Sequence, residues 1–233
     1  MKRVVILQSS YIPWMGYFDL VSRADEFIFL EDVQYTKRDW RSRNFIKTAS
    51  GAQRLTVPVV QGSREKRIEG VEIAGSEWAL THWMSISQAY AHAPHFQHYK
   101  PGFEIIYATP PKLLSLLNRQ LIRVACDCMG IKTPLTVSTD YGRFSGKNER
   151  LIKLCQAAGA THYLSGPSAE SYLDRAAFEK AGLRLEIMRY TYPAYRQLHG
   201  AFMPNLSILD LIFNEGPRAM SVIRGEAVSI PAA

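Results

Sequence analysis

Two carboxylates, Glu31 and Asp32, are followed closely by Lys37, Arg38, Arg41, Arg43 and Lys47, with Tyr35, Trp40 and Phe45 standing among the cations. Adjacent carboxylates can take a proton from an amine or hydroxyl, or hold Mg²⁺. Equally, they can pair with the cations beside them. Arginines interleaved with aromatic rings suit a ligand that offers a planar base for stacking and phosphates for pairing. The same run is also the ordinary composition of a solvated face.

Three other places offer groups for chemistry. Gln8, Ser9, Ser10 and Tyr11 follow the apolar run Val4-Val5-Ile6-Leu7. "SGKNERL" brings Lys147 and Arg150 to the start of a helix, where small residues and cations suit an anion, although the spacing of a P-loop is absent. "YLSGPSAESYL" puts Ser165 at a strand end, with Ser168 read as an N-cap. No GxSxG elbow occurs, and Cys126, Cys128 and Cys155 read as idle thiols of a reducing cytoplasm. Direct transfer without a covalent enzyme intermediate is therefore the expected chemistry. His82, His92, His95 and His98 crowd one region, but none makes an HxxxH or HExxH pair with carboxylate support, so no metal site is expected.

These groups need a scaffold that brings loops together. Lys2 to Leu7 reads as a strand, Met15 to Ala24 as a helix and Glu26 to Val33 as a second strand, a β-α-β unit with a right-handed crossover. In open α/β sheets ligands bind beyond the carboxyl ends of the strands, where Gln8, Tyr11, Glu31, Asp32 and Ser165 all fall. Arg54 to Val60 and Gly70 to Ile73 read as a projecting hairpin, its edge marked by Pro58. Helices follow over 77–91, 94–107 and 110–129, the last with Leu113, Leu116, Leu117, Leu121 and Val124 on its buried face. Strand and helix then alternate through "TPLTVST", 148–158, "THYLSG", 169–180 and "LRLEIMRY", and helices at 206–214 and 217–223 close the chain.

The fold expected is α/β: a doubly wound, mainly parallel sheet with a projecting β-hairpin and a helical insertion at about 77–130. A length of 233 residues favours a single domain over 1–223 with a flexible tail, 224–233. No apolar segment approaches the roughly 20 residues that span a bilayer, and the amino-terminal apolar run is too short for a signal peptide. A net charge of +7 favours anionic partners: nucleotides, sugar phosphates, RNA or anionic lipid heads.

Several stretches together resemble the WbqC-like protein family: "QSSYIPWMGYFDLVSRADEFIFLEDVQYTKRDWRSRNFIKT", "LTVPV", "SGKNERL", "GATHYLSGPSAESYL", "YPAYRQLHGAF" and "LSILDLIFNEG". The family opens on a His-Gln-Pro-like segment, which Leu7-Gln8-Ser9 replaces here. The resemblance implies a place in surface-polysaccharide gene clusters and a transferase of glycyl or other aminoacyl groups. With the cationic loops, it yields a cytoplasmic transferase that joins a small acyl or aminoacyl group to an amino sugar on a nucleotide-linked intermediate. Lys37, Arg38, Arg43, Lys47, Lys147 and Arg150 would hold phosphate or carboxylate oxygens. Glu31 or Asp32 would be the base, and Gln8, Tyr11, Asn44 and Ser165 would orient the acceptor. The partner expected is an anionic small molecule such as a nucleotide sugar, and ATP or another nucleotide is compatible as a cofactor. The rivals are a non-catalytic RNA- or polyanion-binding module and a scaffold in a glycan-synthesis complex.

Overall fold

The structure, a computed structural model, describes residues 1–191 and 193–226. Most of the expected tail, 227–233, lies outside the described residues. In chain order the elements are β1 (Arg3–Leu7), α1 (Met15–Arg23), β2 (Glu26–Phe29), β3 (Arg43–Thr48), β4 (Gly51–Thr56), α2 (Glu77–Tyr90), α3 (Phe96–Ala108) and α4 (Leu114–Cys128). They continue with β5 (Leu135–Val137), α5 (Asn148–Ala157), β6 (His162–Ser165), α6 (Arg175–Lys180), β7 (Arg184–Ile187), α7 (Ile208–Glu215) and α8 (Ala219–Ile223). The described residues divide into two compact units: Met1–Ser9, Asp19–Val33 and Lys132–Thr191 form the first, and Ser10–Phe18, Gln34–Ile131 and 193–226 the second.

The first unit is built on a five-stranded parallel sheet in the order β5-β2-β1-β6-β7. From β1 the chain winds outward through β2 and β5, then returns to place β6 on the other side of β1. The expected pairing of the first two strands is present, with Val5 opposite Phe27 and Ile6 opposite Ile28. Parallel partners share a face, so Val4, Ile6 and Ile28 point together into a core with Leu151, Leu154 and Cys155 of α5 and Phe178 of α6. Tyr163 of β6 stacks flat on Phe178 at a ring separation of 5.2 Å. Burial of that many large apolar side chains, at about 1.5–3 kcal/mol each, is what holds α5 and α6 to the sheet.

Several first-unit elements are shorter than expected, β2 and α6 among them. β2 ends at Phe29, because the Leu30 N–H makes the last bond to β1, at the Leu7 carbonyl, and the Glu31 N–H turns to the Ser138 hydroxyl instead. The helix expected over 169–180 is only α6, preceded by a 3₁₀ turn at Pro167–Ala169. Asp174 sets its start by accepting the Ala177 N–H at 3.1 Å, as N-cap aspartates do.

The second unit holds α2, α3, α4, α7, α8 and an antiparallel hairpin, β3–β4. The hairpin is not the one expected. Arg43–Thr48 pairs with Gly51–Thr56 through a two-residue turn, and Gly51 enters β4 at φ +104°, where a side chain would be strained. Pro58, lacking an N–H, cannot extend the ladder, and the expected pairing of 54–60 with 70–73 survives only as an isolated bridge from Val59 to Ile73. The buried stripe of α4 is also turned from the expected one. Leu114, Leu117 and Leu121 are inside, while Leu113 and Leu116 reach solvent. Among the described residues no helix is long and apolar enough to cross a membrane.

Candidate functional site

The first unit gathers polar groups at the carboxyl edge of its sheet. The winding reverses between β1 and β6, and the residues that leave these strands are Gln8 and Ser9 on one and Ser165 and Gly166 on the other. Such a reversal is where open α/β sheets form their crevice. Glu31 and Asp32 leave the neighbouring β2, and both are buried. The Ser138 hydroxyl, just past β5, donates to Asp32 Oδ1 at 2.7 Å and accepts the Glu31 N–H at 3.3 Å. Sequence reasoning does not mark Ser138 as part of a site. Its only signal there is its place near the end of the strand read in "TPLTVST".

Lys147 and Arg150, at the start of α5, serve local structure. The Lys147 ammonium lies 4.0 Å from the centroid of the Tyr172 ring, and Arg150 Nε donates to the Phe144 carbonyl at 2.6 Å. Between them, Asn148 donates to the Tyr172 carbonyl and accepts the Asp174 N–H. "SGKNERL" thus fastens α5 to the loop that leads into α6.

Three proposed ligand-binding residues lie inside the second unit. Tyr11 is fully buried, its hydroxyl 2.8 Å from His82 Nδ1 and 2.6 Å from the Tyr107 hydroxyl. Burial, reinforced by Tyr107, pushes its phenol well above the usual range, so Tyr11 stays neutral. Asn44 donates to the carbonyls of Tyr11 and Ile12. The buried Lys47 ammonium donates to Gln197 Oε1 and to the carbonyls of Gly200 and Ala201. Burial lowers the Lys47 pKa and Asp210 opposes that shift.

The other cations of the run are arranged differently. Lys37, Arg38 and Arg43, joined by Arg54, line one open cavity of about 730 Å³ whose walls include Tyr35, Ser42, Thr56 and the Val57-Pro58-Val59 segment. No salt bridge is made by any of the four among the described residues, whereas Lys66, outside the cavity, is paired with Glu72 at 2.7 Å. The one acid of the segment, Asp39, is committed to Thr36, to the Arg41 N–H and to the Arg41 guanidinium. Four cations without a salt bridge among the described residues, beside an apolar wall, form a basin suited to an anion of small-molecule size. Sequence reasoning misses Arg54 because it joins the basin only through strand pairing, opposite Phe45.

Among the described residues no group of three His, Cys, Asp or Glu side chains is placed to hold a metal ion. The three cysteines are unpaired thiols that burial pushes up to about 12, far from the thiolate a nucleophile requires.

Sheet, hairpin and basin define an α/β protein of two units with a cation-lined cavity on the second. The chain belongs to the WbqC-like protein family, whose model matches residues 8–222. It is 48% identical over 227 residues to the uncharacterized protein Rv1507c of Mycobacterium tuberculosis, a match that covers 96% of this chain and 98% of that protein. No solved structure matches the chain.

Proposed function

We propose that the protein is a cytoplasmic transferase that attaches a small acyl or aminoacyl group, glycyl among them, to an amino sugar carried on a nucleotide-linked intermediate of surface-glycan synthesis. The observation that carries this reading is the basin of Lys37, Arg38, Arg43 and Arg54, four unpaired cations on one cavity. A diphosphate is the common anionic handle of activated sugars, and charge-assisted hydrogen bonds from Arg and Lys are the strong way to hold one. In the transfer the amine attacks the acyl carbonyl, a C–N bond forms, the donor's leaving group departs and the amine gives up a proton. Glu31 and Asp32 are the proposed acceptors of that proton. The glycan context comes from the family resemblance.

The test is titration of nucleotide-linked amino sugars into the wild type, Lys37→Gln and Arg43→Gln at two salt concentrations, with Arg64→Gln and Lys66→Gln as controls outside the basin. The basin variants should weaken binding by about 1–3 kcal/mol each and the controls should not. A polyanion binder behaves otherwise, because counterion release counts neutralised phosphates wherever they sit. Equal losses in both sets for a random single-stranded RNA, a steep salt slope and no nucleotide-sugar binding would replace the transferase with that rival.

A further inference from the structure

The pairing of β3 with β4 fixes what surrounds the basin. Arg43 lies opposite Thr56 and Phe45 opposite Arg54. Directly opposed residues share a face of the hairpin, so Arg43, Phe45, Arg54 and Thr56 project together. The other face carries Asn44, Ile46 and Leu55, all buried. The two arginines of the basin and an aromatic ring therefore occupy one side of a two-stranded platform.

Trp40 is added to that side. Its indole meets the Phe45 ring in an edge-on contact, with centroids 6.4 Å apart, yet half of the residue remains in solvent. Its backbone is fixed: the Trp40 carbonyl accepts the N–H of the buried Tyr11 at 2.9 Å, and Asp39 on one side accepts the N–H of Arg41 on the other. An exposed indole on an anchored turn loses little entropy when a planar group settles on it. Close by, the buried Ser42 accepts the Tyr35 hydroxyl at 3.0 Å and lines the cavity, so its own proton is available to an oxygen of the ligand.

We propose that Trp40 is the stacking platform for the base of a nucleoside diphosphate whose phosphates are held on the same hairpin face by Arg43 and Arg54. This rests on the basin being a phosphate site and adds to it what selects the ligand: the cations take any diphosphate, and the indole gives the nucleoside form its advantage. Arg54 becomes a phosphate ligand equal to Arg43, and Ser42 a neutral donor to the same group.

The experiment compares the four common nucleoside diphosphates with inorganic pyrophosphate, by calorimetry and tryptophan fluorescence, on the full chain and on Trp40→Ala, Trp40→Phe and Arg54→Gln. At least one nucleoside diphosphate should bind the wild type more tightly than pyrophosphate, by about 5- to 150-fold, the range that base stacking supplies. Trp40→Ala should erase that advantage and leave pyrophosphate binding unchanged. Trp40→Phe should keep most of the affinity but lose the ligand-induced quenching, which assigns the signal to Trp40 among the four tryptophans. Arg54→Gln should weaken both ligands alike. If pyrophosphate binds as tightly as every nucleoside diphosphate, or Trp40→Ala weakens both by the same factor, the stacking role is overturned while the phosphate basin stands. If neither ligand binds, the basin falls and the stacking role with it. Binding confined to a single-stranded RNA would hand the same aromatic and cationic face to the polyanion rival.

Discussion

Ser138 donates a 2.7 Å hydrogen bond to Asp32, a partner 106 residues earlier in the chain, and both side chains are buried. The bond crosses from the end of β5 to the end of β2, neighbours in the sheet, and joins the proposed base to the scaffold that positions it. Removing the donor strands a buried carboxylate oxygen, which costs more than an ordinary hydrogen bond gains. Ser138→Ala should lower stability by roughly 1–3 kcal/mol at neutral pH in urea denaturation. Ser138→Thr, which keeps the hydroxyl, should recover most of that. Equal stability of wild type and alanine variant would mean that the bond holds nothing in place.

Lys47 and Arg43 lie four positions apart on one strand and do opposite work. Lys47 closes the 197–201 segment onto β3 through three oxygen acceptors, whereas Arg43 faces the open basin. Lys47→Gln should therefore cost roughly 1–3 kcal/mol of stability and leave diphosphate affinity within about twofold. Arg43→Gln should weaken the ligand and leave the melting temperature in place. A large affinity loss in Lys47→Gln without loss of stability would return this lysine to the binding site.

Which parts of the fold and the site are legible in the sequence depends on how local each cause is. The β1-α1-β2 unit can be read because its apolar runs, its Pro13 entry and its short connections are contiguous. The side-by-side placement of β1 and β6 cannot, because residues about 160 apart meet there and no local pattern announces a partner. The hairpin is misplaced by sequence reasoning because Arg43 and Lys47 occupy alternate positions of β3 and disguise its period of two as a charged loop. In the basin, Lys37, Arg38 and Arg43 stand out by their aromatic company. Arg54 does not, since only register brings it beside them. Tyr11, Asn44 and Lys47 carry groups a ligand could use, but composition does not distinguish a polar side chain offered to solvent from one that satisfies buried partners inside the fold.

Gly216 ends α7 at φ +53° and ψ −120°, and a Cβ built there would stand 2.4 Å from the His95 ring. Backbone strain and steric overlap act together, and the overlap falls on the ring carbon nearest the His95 backbone, whose N–H is bonded to the Phe213 carbonyl. Gly216→Ala should destabilise the protein by about 2–4 kcal/mol. A double variant with His95→Ala should recover the steric part only. Full recovery would show that the backbone conformation itself is unstrained.

His82 supplies a pH dependence of definite sign. It is buried beside Trp78, its Nδ1 bonded to the Tyr11 hydroxyl, and burial brings its pKa down to about 4, with the Thr56 backbone opposing the shift. The titratable groups around it, Tyr11 and Tyr107, are held neutral by their own burial and supply no countercharge. In the unfolded chain an imidazole titrates near 6.5. Between pH 6.5 and about 4 the unfolded state therefore holds a proton that the folded state lacks. Stability from this group is complete above 6.5 and drains away as the pH falls through that window, by roughly 3 kcal/mol in all. Other carboxylates titrate over the same range, so the informative quantity is the difference in unfolding free energy between wild type and His82→Gln, measured from pH 7.5 to 4.5. That difference should shrink steadily toward acid. A difference that stays constant with pH would mean that His82 is protonated as readily inside the fold as outside it.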